Sequence, residues 1–95
     1  MMSIIQQAEA AHRRGELDEA KRLYLLQLQA NTQDTDALYG LGTLAMQAGC
    51  FVDAVPLLAR AIALEPGAAE IAYNYAICLA QIGERETAVH MAKQA

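Results

Sequence analysis

Asp36-Ala37-Leu38-Tyr39-Gly40-Leu41-Gly42-Thr43-Leu44-Ala45-Met46-Gln47-Ala48-Gly49 is the stretch on which the reading of this chain turns. Small and apolar residues recur in it at helical spacing, and it stops on a glycine, the residue that most easily adopts the left-handed backbone of a helix end. A step of 34 residues in either direction meets the same grammar. Gly15, Gly49 and Gly83 fall in one column, and Ala20, Ala54 and Ala88 in another. Ala8, Gly42 and Ala76 make a third, Ile4, Leu38 and Ala72 a fourth, and Ala11, Ala45 and Leu79 a fifth. Five columns of small or apolar residues in one register mark an internal repeat, and its period selects stacked helical hairpins.

Each unit divides into an apolar-periodic stretch, a glycine and a second such stretch. The first stretches are Met2–Arg14, Thr35–Ala48 and Ala69–Ile82; the second are Leu17–Ala30, Phe51–Leu64 and Arg85–Ala95. Asp34 to Asp36 and Pro66-Gly67 separate the units, and Thr35 or Asp36 caps the first helix of the second unit. Pro56 reads as a first-turn proline if Asp53 is the N-cap, the alternative being a kinked helix start.

Composition agrees. Hydrophobic residues are 55% of the 95, yet aromatics are only 5% and Trp is absent, so the apolar share is mostly alanine and leucine, both strong helix formers. Strand formers never alternate between turns, which leaves an all-β fold without support. The formal charge is −4 with only seven Lys and Arg, so the basic face that nucleic-acid binding needs is missing. Apolar runs stop well short of a membrane span, and no leader pattern opens the chain. Cys50 and Cys78 form no disulfide framework and read as reduced thiols in a cytoplasmic protein.

With those residues in hand, the run from Asp36 through Gly42, then Ala45, Gly49, Ala54, Leu58, Ala61 and Pro66, closely resembles a full tetratricopeptide repeat. The first unit resembles the family through Ala8, Ala11, Gly15, Ala20 and Tyr24, with Gln27 and Thr32 where the family favours Ala and Pro. The third resembles it through Tyr73-Asn74-Tyr75-Ala76, Gly83 and Ala88, and stops within its second helix. The resemblance implies an all-α, right-handed solenoid of about six antiparallel helices, in one domain with repeats 1–34, 35–68 and 69–95, the last incomplete. It also implies a protein–protein interaction module, an adaptor, scaffold or co-chaperone-like segment that binds a partner's peptide or helix in a concave groove.

In such arrays the first helices line the groove. The register then places Ile5, Glu9, His12 and Arg13 there from the first unit, and Tyr39, Thr43 and Met46 from the second. Tyr73, Asn74 and Ile77 come from the third, and Gln6, Asp36, Gly40, Gln47, Glu70 and Gln81 share the face. A mixed surface with two Tyr suits a peptide, though Tyr on helices is as often partly buried core. The family subtype that grips a C-terminal carboxylate is not expected. Ile5, Glu9, Gly40, Glu70 and Asn74 stand where that clamp wants Lys, Asn, Asn, Lys and Arg.

No catalytic, cofactor or metal site is expected. Gly40-Leu41-Gly42-Thr43-Leu44-Ala45 fits a loose dinucleotide fingerprint, but it lies inside a helical pattern and reads as close helix packing. His12, His90, Cys50 and Cys78 share no helical metal-ligand spacing. The alternative function is a structural or self-associating segment of a larger multidomain protein. It would make a homo-oligomer by packing through an uncapped C-terminal edge that includes Val89, Met91 and Ala92.

Overall fold

A computed structural model describes the backbone of residues 1–94 and the side chains of residues 1–86. Its elements are α1 (Ile4–Arg13), α2 (Leu17–Ala30), α3 (Thr35–Gln47), α4 (Phe51–Leu64) and α5 (Ala69–Gln94), with no strand among the described residues.

The starts of α1 and α3 have local causes. Ser3 caps α1 in a capping box: its Oγ accepts from the Gln6 N–H at 3.2 Å, and Gln6 Oε1 accepts from the Ser3 N–H at 2.9 Å. Asp34, rather than Thr35 or Asp36, caps α3, accepting from the Ala37 N–H at 3.1 Å. Gln27 Nε2 donates to the other Asp34 oxygen at 2.7 Å. That is the use of the glutamine where the family prefers alanine. Thr32, the other departure, offers its carbonyl to Arg60 Nη2 at 2.8 Å and so ties α4 to the loop before α3.

The two hairpins close in one way. Gly15 and Gly49 take φ of 79° and 77°. Beyond them Glu16 N–H donates to Ala11 O at 2.9 Å and Cys50 N–H to Ala45 O at 2.8 Å, the bond that closes a Schellman helix end. Pro56 lies deeper than the first turn, because α4 is capped by Cys50 and begins at Phe51. The carbonyl it deprives of a donor belongs to Val52. Val52 and Pro56 are both exposed, so the carbonyl left without its helical donor belongs to a residue on the solvent face of α4.

The third unit departs from the six-helix expectation. Gly83 stays helical, and α5 runs through it to Gln94, so the described chain has five helices. A glycine permits a turn without forcing one. Where Leu17 and Phe51 open the second helices of the first two units, the third has Arg85. Its Nη2 donates to Gly49 O at 3.2 Å, and its guanidinium lies 5.4 Å from the centre of the Phe51 ring. Those contacts hold the start of the last segment against the second unit. In consequence Ala72, Ala76 and Leu79 are exposed, although their column-mates Leu38, Ala8 and Ala11 are buried. Val89, Met91 and Ala92, expected at a packing edge, lie outside the residues whose side chains are described.

Packing is centred on α3. One of its sides joins α1 and α2 in a cluster of Ala8, Ala11, Ala20, Leu23, Tyr24, Ala37, Leu41 and Leu44. The other places Leu38 with Ala54, Leu58 and Ala61 of α4 and with Ile71 and Cys78 of α5. Alanines at the crossings let the helices approach closely, and the leucines fill the spaces beside them.

Candidate functional site

A cavity of about 600 Å³ opens along α1 and α3 and reaches the first turn of α5. Glu9, His12 and Arg13 of α1, Tyr39, Gly40 and Thr43 of α3, and Glu70 of α5 form most of its wall, with Tyr24 of α2 at its floor. The first-helix face read from the repeat register is therefore assembled over its first two units. The remaining expected residues do other work. Ile5 packs against the first apolar cluster and Met46 against the second. Ile77 is half-buried, and Tyr73, 70% exposed on α5, stands outside the cavity wall.

Two hydrogen bonds between first helices share a spacing of 35 residues. His12 Nε2 meets Gln47 Oε1 at 2.9 Å, and Asn74 Nδ2 donates to the Tyr39 hydroxyl at 2.8 Å. Each joins one first helix to the next, so His12, Tyr39 and Asn74 spend polar atoms on fixing the units in register. With the Gln47 oxygen as acceptor, His12 carries its proton on Nε2. Nδ1 then accepts from the Tyr24 hydroxyl at 3.1 Å. The two rings meet edge to face, 6.0 Å between centroids.

Tyr24 belongs to a second helix, and the register alone does not bring it to the cavity. It arrives because Gly40 lacks a side chain: a Cβ there would overlap the tyrosine ring. Gly42 serves α4 likewise, since a Cβ on it would lie 2.7 Å from Leu58 Cδ2. The Gly40-x-Gly42 pair thus answers to helix packing, and the clue to Tyr24 was an aromatic on α2 facing a glycine on α3.

Charge around the cavity is uneven. Glu9, Asp36 and Glu70 bring three carboxylates against the one guanidinium of Arg13. Among the described residues the ion pairs are Arg14–Glu16 and Arg22–Glu19, away from this wall, so these four side chains have no ionic partner within the described protein. The field is felt by the phenols. Burial, then the nearby Glu9 carboxylate, raises Tyr24 above the usual tyrosine value; burial, then Glu70, raises Tyr39.

Among the described residues no cluster of three or more His, Cys, Asp or Glu is placed to hold a metal, and no helix is long and apolar enough to cross a membrane. No curated protein matches the chain. A family model described as tetratricopeptide repeat matches residues 45–95, from within α3 through α4 and α5. Repeats of this kind generally mediate protein–protein interaction and are not themselves catalytic. Helical hairpins in a 34-residue register and a family match over more than half the length lead to one conclusion: the chain belongs to the tetratricopeptide repeat family.

Proposed function

We propose that this chain is an adaptor or scaffold module whose cavity along α1 and α3 receives a segment of a partner protein, and that the segment carries lysine or arginine. The observation that carries this reading is the charge of the wall: Glu9, Asp36 and Glu70 against Arg13 alone. Unpaired carboxylates on a concave surface attract cationic side chains and repel acidic ones. The Tyr39 ring and the Thr43 methyl beside them supply contact area at low entropic cost. The same charges oppose an acidic C-terminal tail, in keeping with the missing carboxylate clamp.

Selection of a displayed random-peptide library on the full chain tests this. The reading expects enriched peptides with Lys or Arg, whose addition shifts the backbone amide resonances of Glu9, Arg13, Thr43 and Glu70. Enrichment of acidic peptides, or shifts confined to α2 and α4, contradicts it.

A further inference from the structure

We infer that the partner segment is extended and dipolar: its Lys or Arg lies over the starts of α3 and α5, held by Glu65 together with Asp36 and Glu70, and an Asp or Glu about five residues away lies beside Arg13. This rests on the reading above, that the cavity along α1 and α3 receives a partner segment, and adds to it a further binding residue and a register.

The cavity does not end at Glu70. A second one of about 300 Å³ opens beside it, between the first turns of α3 and α5 and the end of α4. Asp36, Tyr39 and Glu70 belong to both walls, so the two form one trough. Glu65 enters only at this end, and no Lys, Arg or His is among the described residues that line it. Two of the three carboxylates here also serve their own helices. Asp36 and Glu70 stand in the first turns of α3 and α5, where negative charge complements the helix dipole. Glu65 has no such role. It is the C-cap of α4, the end at which the dipole disfavours a carboxylate, and α4 has no basic residue in its last turn to offset it. Its carboxylate makes no hydrogen bond or ion pair among the described residues. A carboxylate set against its own helix, unpaired, at the edge of a space that already holds two more suits a cation supplied from outside.

The other end of the trough differs in sign. α1 ends at Arg13 and α3 at Gln47, and the bond from His12 to Gln47 holds these ends side by side. Arg13 and Gln47 both line the wall, and Arg13 is in no ion pair among the described residues, Glu9 included. The helix sets the distance between the two ends. Asp36 and Gln47 lie about 16 Å apart along α3, which an extended chain spans in about five residues. A uniformly basic segment would bring a cation against Arg13, and a uniformly acidic one would meet three carboxylates. The charges therefore select a segment with one of each.

Selection of a displayed random-peptide library on the full chain tests the register. The expected clones carry Lys or Arg and, about five positions away in either direction, Asp or Glu. Enrichment of Lys or Arg without an acidic residue at that spacing overturns this inference and leaves the reading it rests on standing; no enrichment of Lys or Arg removes both. A selected peptide is then measured by fluorescence anisotropy against two variants at exposed positions. Glu65→Gln should weaken binding about 1.5- to 5-fold. Arg13→Glu should weaken binding of the same peptide and regain it when the peptide's acidic residue is replaced by Lys, a rescue that a damaged fold does not give. Unchanged affinity for Glu65→Gln, or no rescue of Arg13→Glu, contradicts the arrangement.

Discussion

The ring of Tyr24 occupies the space that a Cβ on Gly40 would fill, and through that gap the tyrosine hydroxyl reaches His12 Nδ1 at 3.1 Å. One missing side chain on α3 thus lets a second-helix aromatic close the floor of a cavity built by first helices.

Gly40→Ala should therefore destabilise the protein by about 1–3 kcal/mol, the cost of overpacking, even though alanine is the better helix former by about 1 kcal/mol. Gly42→Ala should cost less, because its Cβ would meet Leu58 Cδ2 at 2.7 Å and Cγ at 2.9 Å, a smaller overlap than the one with the Tyr24 ring. Urea denaturation of both variants checks the order. A second change of Tyr24→Leu should recover part of the Gly40→Ala loss, since neighbours are not additive.

His12→Ala removes the hydrogen-bond partner of the Tyr24 hydroxyl at the cavity floor and should cost about 0.5–1.5 kcal/mol. Gln47→Ala breaks a bond on the exposed side of the same ring and should cost under about 1.5 kcal/mol. If Tyr24→Phe removes most of the difference between wild type and His12→Ala in a double-mutant cycle, the network is as described.

Part of this fold is legible in the residues alone. The bounds of α2 and α4 and the turns at Gly15 and Gly49 follow from the 34-residue step, because a positive-φ position and a small-residue crossing leave direct marks in sequence. Gly83 carries the same mark with a different outcome. Whether a permissive glycine turns depends on what the next residues touch, and Arg85 touches Gly49 and Phe51. Position 56 misleads because α4 begins where the turn at Gly49 and Cys50 closes, ahead of the proline, whatever the proline costs. The cavity is half legible. Its first-helix residues follow from periodicity, whereas Tyr24 enters through a gap that exists only in three dimensions.

Stability should fall in alkali. Burial raises Cys78 above its ordinary 9.0 and Tyr24 and Tyr39 above 10.0, so the folded state holds these protons more tightly than the unfolded chain. Their contribution is whole below about pH 9. It is lost as pH rises, first through Cys78 and then, above about pH 10, through the two phenols. Denaturation midpoints from pH 7 to 11 should follow this course, and Tyr24→Phe should flatten its upper part.

The two thiols should separate by reactivity. Cys50 is exposed and Cys78 is fully buried between α4 and α5. An aromatic disulfide reagent should titrate one thiol at once in the native protein and the second only as α5 opens. Immediate reaction of both would show that α5 does not pack on α4 as described.

The most direct test of the central claim is the affinity of a selected Lys/Arg-containing peptide, by fluorescence anisotropy, for wild type and for the triple variant Glu9→Gln, Asp36→Asn, Glu70→Gln. All three residues are exposed, so the fold should survive and circular dichroism should be unchanged. Rim charges contribute about 0.2–1 kcal/mol each, so the account predicts weakening by roughly 3- to 150-fold, shrinking as salt is raised. Equal affinity for the two proteins at low salt would contradict it.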